Sequence, residues 1–340
     1  MGVKEGQLSA IDPHLPLLCL LGPTAAGKTA LAMALCDVLP LEIISVDSSQ
    51  VYRHMNIGTA KPDSATLARY PHHLIDIREP SQTYSAAQFR HDVLRLIPEI
   101  VDRGHLPLLV GGTMLYVHAL LSGLSSLPEQ DPVLRQDIAR RASQLGWPAL
   151  HAQLHHLDPL AAARIQPNDQ QRIQRALEVI TLTGQKLSDL QWSHRPQSLP
   201  NPVLRLCVLP GERALLHDRI SRRFVAMLEQ GLLEEVRSLL DSGRLDEAMP
   251  ALKMVGYRQL WQYLQGRCSL AEAQTRAVIV TRQLAKRQLT WLRHTAGVTW
   301  WLNPPADGRI MTEYVKAWLQ INHIHLPAVL ESTFAVAAGA

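Results

Sequence analysis

The chain has 340 residues, of which 46% are hydrophobic and 19% charged, and its formal net charge is +4. This composition is that of an ordinary globular protein and excludes low-complexity, collagen-like and strongly charged disordered chains. The four cysteines are far apart and form no CxxC pair, so neither a disulfide framework nor a structural zinc site is indicated. Because no export signal or membrane-length apolar run is visible, we expect a cytoplasmic protein without a membrane span, and by default a monomer.

The first predicted element is a strand over residues 17–21, followed by GPTAAGKT and an apolar helical pattern. The strand, glycine-rich loop and helix fit the GxxxxGK[ST] phosphate-binding pattern. Loop amides and a lysine would bind a diphosphate, and a threonine hydroxyl would face Mg²⁺. The predicted loop residues are Gly22, Pro23, Thr24, Ala25, Ala26, Gly27, Lys28 and Thr29. Taken alone, this loop favours ATP or GTP as its ligand.

Two further strands are predicted to end in polar residues. Asp47 follows a strand over residues 42–46 and could hold Mg²⁺ or accept a proton. Ser48, Ser49 and Gln50 extend this polar cluster. Thr113 follows a strand over residues 106–110 and would place a hydroxyl in the same crevice.

More strands are predicted over residues 73–77, 204–209 and 298–302, whereas residues 123–201 carry only helical patterns. The predicted fold is therefore α/β and P-loop NTPase-like, with a mostly parallel sheet flanked by helices and an inserted all-helical domain. Residues 15–122 and 202–310 would form the discontinuous core, and residues 123–201 the insertion. A C-terminal helix and frayed tail would occupy residues 311–340.

Three helices in the later part of the chain can be predicted closely. Asp169 would cap a helix that Gly184 ends, and residues 213–240 would be helical with a break at Gly231. Residues 270–293 would form one long helix that carries no acidic residue from Ala273 onward. Its basic residues cluster on one side, as a surface that tracks nucleic-acid phosphates would require.

Eight segments in order, across residues 17–302, resemble the tRNA dimethylallyltransferase family, also called the tRNA isopentenyltransferase family, in its bacterial type. Among them are GPTAAGKT, SVDSSQVYRHMNIGTAKP, LLVGGTMLY, RIQPNDQQRIQRALEV, VGYRQLW and RQLAKRQLTWLR. The resemblance implies transfer of a dimethylallyl group from dimethylallyl diphosphate to N6 of the adenine 3′ to the anticodon. The loop would then hold the isoprenoid diphosphate, with Mg²⁺ at Thr29.

The resemblance also implies roles for individual residues. Asp47 would be the general base, Thr113 would hydrogen-bond the adenine, and Arg223 would stabilise the diphosphate. The anticodon stem-loop of tRNA would be held by a larger set: Ser48, Ser49, Gln50, Arg135, Gln171, Arg172, Ile173, Gln174, Arg175, Lys253, Gly256, Tyr257, Arg258, Arg282, Lys286, Arg287 and Arg293.

The sequence departs from the family at two of these positions. Ala26 stands where the family usually has serine, which removes a hydroxyl but no backbone amide from the loop. Lys253 replaces the usual arginine before VGYRQ and exchanges a bidentate contact for a point charge.

Three other functions fit parts of the pattern. A small-molecule kinase would use the loop for ATP, but has no need of the acid-free basic helix. A transferase acting on free adenine nucleotides would need neither the helical insertion nor the basic surface. An RNA-binding protein with a nucleotide switch would not need Asp47 or Thr113 for any covalent change in RNA.

Overall fold

The computed structural model describes residues 11–125, 127–193, 197–303 and 308–322, with residues 324, 326 and 330. These residues form two compact units. One is the stretch 121–198, and the other contains the described residues before 121 and after 198. The unit boundaries lie within three residues of the predicted insertion limits, 123 and 201.

A parallel sheet forms the centre of the larger unit. Its strands are β1 (Leu17–Leu21), β2 (Leu41–Val46), β3 (His72–His73), β4 (Leu106–Gly111), β5 (Val203–Leu209) and β6 (Val298–Leu302). The order is β3-β2-β4-β1-β5-β6 and every pairing is parallel. Every residue of β1, β2 and β4 is buried, as expected for central strands covered on both faces. The α/β, P-loop NTPase-like fold is confirmed.

The predicted strand over residues 73–77 is wrong beyond its first residue. Leu74 and Asp76 have positive φ values of 64° and 55°, which an extended strand cannot accommodate. Pairing with β2 therefore stops at His73, and the chain meets the neighbouring loop again through a bridge between Tyr52 and Arg78.

Helices connect and cover the strands. In the larger unit they are α1 (Lys28–Cys36), α2 (Ser64–Arg69), α3 (Ala86–Asp102), α10 (Arg213–Glu229), α11 (Leu232–Asp241), α12 (Tyr257–Leu264), α13 (Leu270–Arg293) and α14 (Arg309–Ile321), with a 3₁₀ turn at Pro250–Lys253. Helix α4 (Met114–Ser122) runs from β4 to the start of the smaller unit. The helix predicted over residues 270–293 and the break at Gly231 are confirmed.

A second apolar core lies beneath α10–α13. Phe224, Leu232, Tyr257 and Leu260 are buried there with Met55 from the segment after β2. This core fixes the segment after β2 against the C-terminal helices, so that polar groups from distant parts of the chain can share one edge of the sheet.

The C-terminal helix, predicted within residues 311–340, lies in the larger unit. Helix α14 buries Met311, Val315 and Leu319 along one side, a spacing that gives a single apolar stripe. Residues 331–340, predicted to be a frayed tail, lie outside the described residues.

The described residues of the smaller unit form helices joined by loops, with no strand among them. It contains α5 (Pro132–Leu145), α6 (Trp147–Leu157), α7 (Pro159–Ala163), α8 (Gln170–Thr183) and α9 (Leu187–Ser193). Asp169 caps α8 by accepting the Arg172 N–H, and Gly184 ends it with a left-handed φ of 69°, as predicted. The unit has its own core, which includes Ile138, Leu150, Leu154, Ile173 and Leu177.

Candidate active site

A cavity of about 510 Å³ opens at the carboxyl ends of the parallel strands in the larger unit. Its polar lining includes Thr24, Asp47, Thr113 and Arg223. Its apolar lining comes mainly from two helices: Ile220, Phe224 and Met227 of α10, and Leu284 of α13. A ligand with a charged end and a small apolar end would therefore find matching surfaces in one cavity.

The phosphate loop packs tightly at its first residue. A Cβ atom on Gly22 would lie 2.4 Å from the carbonyl oxygen of Val208 in β5, so only glycine fits there. Gly27 precedes α1 in a left-handed conformation and forms the N-terminal boundary of the helix without a side-chain cap. The first amides of α1 therefore have no side-chain cap from Gly27, and amides at a helix N-terminus can bind an anion. Ala26, at the position of the usual serine, is buried.

Lys28 is held over its own loop. Its Nζ donates to the carbonyl oxygen of Pro23 at 2.7 Å. Burial lowers the pKa of Lys28 to about 8, an effect that the nearby Asp47 carboxylate opposes and the Arg223 guanidinium reinforces. The fraction of Lys28 that is protonated therefore depends on nearby negative charge, such as that of the Asp47 carboxylate.

Arg223 approaches the loop from α10. Its Nη1 donates to the Thr24 hydroxyl at 3.3 Å. Burial lowers the pKa of Arg223, and attraction from Asp47 partly offsets that effect. Because a guanidinium remains charged in proteins, Arg223 is a half-buried cation beside Thr24.

Asp47 follows β2 and is fixed by the next turn. Its Oδ1 accepts the Ser49 N–H at 2.8 Å and the Ser49 hydroxyl at 2.5 Å. Neither bond uses Oδ2. Ser49 therefore orients the carboxylate, and its predicted contact with RNA stays a prediction.

Thr113 is tied to the same turn. Its hydroxyl oxygen accepts the Ser48 N–H at 3.1 Å, and its own N–H donates to the Val46 carbonyl at 3.1 Å. The Thr113 hydroxyl proton remains available to a ligand, since its oxygen is the acceptor here. The order of the strands makes this contact possible, because β4 lies between β1 and β2.

The loop after Asp47 is held from within and from α11. Gln50 accepts from the Ser45 hydroxyl at 2.8 Å and donates to the Ala60 carbonyl at 3.3 Å. Its side-chain amide thus closes the loop, and its predicted contact with RNA stays a prediction. Glu235 accepts the Asn56 and Ile57 amides at 2.9 and 2.8 Å and the Tyr257 hydroxyl at 2.5 Å.

Several residues predicted to bind RNA have structural roles in the smaller unit. Arg175 and Arg135 pair with the fully buried Glu178 at 2.7 and 3.4 Å, and Gln174 bonds to Arg135. Ile173 is completely buried, so its predicted contact with RNA is corrected to core packing. The exposed residues of this set are Gln171 and Arg172.

In the C-terminal helices too, some residues predicted to bind RNA are buried or hydrogen-bonded within the protein, and others are exposed. Tyr257 is completely buried and Gly256 is buried beside it, because both close the core beneath α12; their predicted RNA contacts are corrected accordingly. Arg282 donates to the Ser221 hydroxyl at 3.0 Å. The predicted RNA-binding residues that remain exposed here are Lys253, Arg258, Lys286, Arg287 and Arg293. Lys253 and Arg287 also line the cavity.

Gln288 and Trp291 are among the cavity residues that the sequence analysis missed. Gln288 accepts the Thr24 N–H and donates to the Gly112 carbonyl, each at 2.9 Å. Trp291, one turn further along α13, is 40% exposed and lines the cavity. Gln288 follows Arg287 directly on α13, and Trp291 lies four residues after Arg287. Because only the charged residues of this helix were considered as ligand contacts, these two uncharged residues were not predicted.

Hydroxyl and carboxylate oxygens, such as those of Thr29 and Asp47, are ligands of a kind that suits Mg²⁺ better than a transition metal. Thr29 offers an exposed hydroxyl at the start of α1, and Asp47 is the acidic residue of the cavity lining. Within the described residues, no cluster of three or more His, Cys, Asp or Glu side chains could hold a metal ion. Few protein oxygen ligands are typical of Mg²⁺ sites in which substrate phosphates and water complete the coordination.

In the part of the chain that the structure describes, no helix is both long and apolar enough to cross a membrane.

Comparison with known proteins gives consistent results. The family model described as IPP transferase matches residues 50–295. The tRNA dimethylallyltransferase of Bordetella petrii is 55% identical over 82% of this chain and 89% of its own length. That of Thiobacillus denitrificans is 56% identical over 83% of this chain and 90% of its own length.

Solved structures show the same likeness. The tRNA isopentenylpyrophosphate transferase of Bacillus halodurans superposes with a TM-score of 0.66 at 39% identity, over 90% of this chain and 97% of that one. A eukaryotic dimethylallyltransferase that acts on tRNA superposes with a TM-score of 0.75 at 24% identity, which shows the shared fold. Family model, curated relatives and fold all agree: the chain is a transferase and belongs to the IPP transferase family.

Proposed function

We propose that the protein transfers a dimethylallyl group from dimethylallyl diphosphate to N6 of the adenine on the 3′ side of a tRNA anticodon, releasing diphosphate. The observation that carries the proposal is that one cavity is lined by Thr24 and Ala25 of the phosphate loop, by the cation Arg223 and by the carboxylate Asp47. The curated relatives named tRNA dimethylallyltransferase supply the substrate class.

The diphosphate end of the donor would lie against the loop. Amides at the start of α1, Lys28 and Arg223 provide positive charge where the leaving diphosphate gains negative charge. Mg²⁺, held by Thr29, would supply further charge neutralisation. The apolar side chains Ile220, Phe224 and Leu284 would surround the dimethylallyl carbons.

The bond between C1 of the dimethylallyl group and the diphosphate oxygen breaks, and its electron pair leaves with the diphosphate. The lone pair of the adenine N6 forms the new N6–C1 bond. N6 gives one proton to the Asp47 carboxylate, and the carboxylate later releases that proton to water. A base is needed here because the N6 lone pair is delocalised into the ring, so the amine is a weak nucleophile.

The hydrogen bonds of Asp47 and Thr113 support these roles. Ser49 holds Oδ1 of Asp47, and this leaves Oδ2 as the oxygen that would face N6. The Thr113 hydroxyl, fixed as an acceptor by the Ser48 N–H, would donate to an adenine ring nitrogen.

The adenine must leave the stacked anticodon loop to reach this cavity. Exposed Lys253, Lys286 and Arg293 would then bind the RNA backbone.

The test is mass spectrometry of an unmodified anticodon stem-loop incubated with the protein, Mg²⁺ and either dimethylallyl diphosphate or ATP. We expect a mass gain of one dimethylallyl group with the isoprenoid donor only. Asp47→Asn should abolish the gain, whereas Asp218→Asn, at a surface ion pair on α10, should preserve it. ATP turnover without modified RNA would contradict the proposal and favour the kinase alternative.

A further inference from the structure

We propose that Gln288 is a positioning residue that sets the distance between the leaving diphosphate and the attacking adenine. The inference rests on the proposed function, because it assigns Gln288 to the alignment of the two substrates of that reaction. It departs from the expectation that the segment around Gln288 serves RNA phosphates only.

Gln288 connects two segments that end neighbouring strands. Its Oε1 accepts the Thr24 N–H of the loop after β1, and its Nε2 donates to the Gly112 carbonyl after β4, both at 2.9 Å. These partners identify the two ends of the amide, since a backbone N–H requires an acceptor and a carbonyl requires a donor. A side chain carrying both functions on adjacent atoms can join these groups, and glutamine on α13 has the necessary length.

The space between the segments is shaped around this amide. A Cβ atom on Gly112 would lie 2.3 Å from Nε2 of Gln288 and 3.1 Å from the Gly22 carbonyl oxygen. Glycine at position 112 therefore lets the amide approach the backbone closely. Even a methyl group at position 112 would therefore displace the Gln288 amide from the Gly112 carbonyl.

Each end of the Gln288 amide is one step from a group with a proposed role. The Thr24 hydroxyl accepts Nη1 of Arg223, so Thr24 is held by one bond from α10 and one from α13. Gly112 precedes Thr113, whose hydroxyl accepts the N–H of the residue after Asp47. Gln288 thus links the diphosphate side of the cavity to the acceptor side.

This link predicts a particular kinetic defect. Loss of the bridge would leave the loop, Arg223 and Asp47 in place, but would remove the constraint on their separation. Displacements near 1 Å between reacting groups lower rates by about 100-fold while binding changes little. A residue that contacts RNA directly would show the opposite pattern, a weaker complex with preserved turnover.

The experiment compares Gln288→Met, which keeps the length but removes both bonds, with Gln283→Met at an exposed position of α13. Gln288→Glu keeps the acceptor for Thr24 but places an oxygen against the Gly112 carbonyl. We expect kcat to fall about 10- to 100-fold in both Gln288 variants, with dissociation constants for the stem-loop and for dimethylallyl diphosphate within about threefold of wild type. Gln283→Met should match wild type.

A second pair of variants protects the test against misfolding. Gly112→Ala should lower kcat in the wild-type background by pushing the amide away. It should add much less to Gln288→Ala, in which only the 3.1 Å approach to the Gly22 carbonyl oxygen remains. Such non-additivity identifies a shared contact. Additive losses, an unchanged kcat in Gln288→Met, or a weakened RNA complex with normal kcat would each overturn the inference. If wild type and Gln283→Met modify no RNA, the proposed function fails, and the inference that rests on it fails as well.

Discussion

The pH dependence of diphosphate binding tests the environment of Lys28 directly. Burial lowers its pKa to about 8, with the Asp47 carboxylate acting in the opposite direction. A lysine with this pKa is charged in about nine-tenths of molecules at pH 7 and about one-tenth at pH 9. If diphosphate binds the charged form, the apparent dissociation constant should rise about tenfold between these pH values.

The sign follows from linkage between protonation and binding. A bound diphosphate places negative charge near Nζ and raises the pKa of Lys28, so the complex holds more protons than the free protein. Affinity therefore falls as pH rises through the free-protein pKa. At pH 8 binding should take up about half a proton, because about half of the Lys28 side chains are then neutral.

Isothermal titration calorimetry in two buffers of different ionisation enthalpy measures the apparent dissociation constant and the number of protons taken up on binding. The ligands are dimethylallyl diphosphate and inorganic diphosphate. Lys28→Arg is the matched variant, since a guanidinium stays charged across this range and should remove the pH dependence. An affinity for diphosphate that stays constant between pH 7 and pH 9 in the wild type, but is lost in Lys28→Ala, would refute the reasoning.

Three further predictions concern single carboxylates. Asp47→Asn should lower the single-turnover rate by about 100-fold or more, because a general base is lost. Glu235→Ala should destabilise the protein by about 2–3 kcal/mol in thermal unfolding, because backbone amides at Asn56 and Ile57 lose their acceptor. Glu178→Ala should cost about 3–5 kcal/mol, because Arg135 and Arg175 lose their buried partner.

The Glu235 and Glu178 variants each have a control on the same element or in the same unit. Glu234→Ala, exposed on α11, should leave the melting temperature nearly unchanged. Asp137→Ala removes a surface pair with Arg140 and should cost less than about 1 kcal/mol. Equal effects in variant and control would show that the buried contacts are not responsible. An Asp47→Asn protein that retains its turnover would remove the carboxylate from the proposed chemistry.

Local features of the sequence were enough to locate the main elements. The phosphate loop, the capped helix α8 and the whole of α13 agree with prediction because strand, loop and helix signals depend on residues a few positions apart. The predicted strand over residues 73–77 failed for a local reason that the residue types did not reveal. Leu74 adopts a left-handed conformation that leucine rarely takes.

By itself, the sequence determined which chemical groups the protein has: a phosphate loop, carboxylate and threonine at strand ends, and a basic helix. The tertiary structure decided which of them meet. Strand order places β4 between β1 and β2, so Thr113 contacts the turn after Asp47. Packing turns Ile173 and Tyr257 inward and brings Gln288 to Thr24, 264 residues away in the chain. Such partners depend on long-range packing and leave no periodic pattern in the sequence.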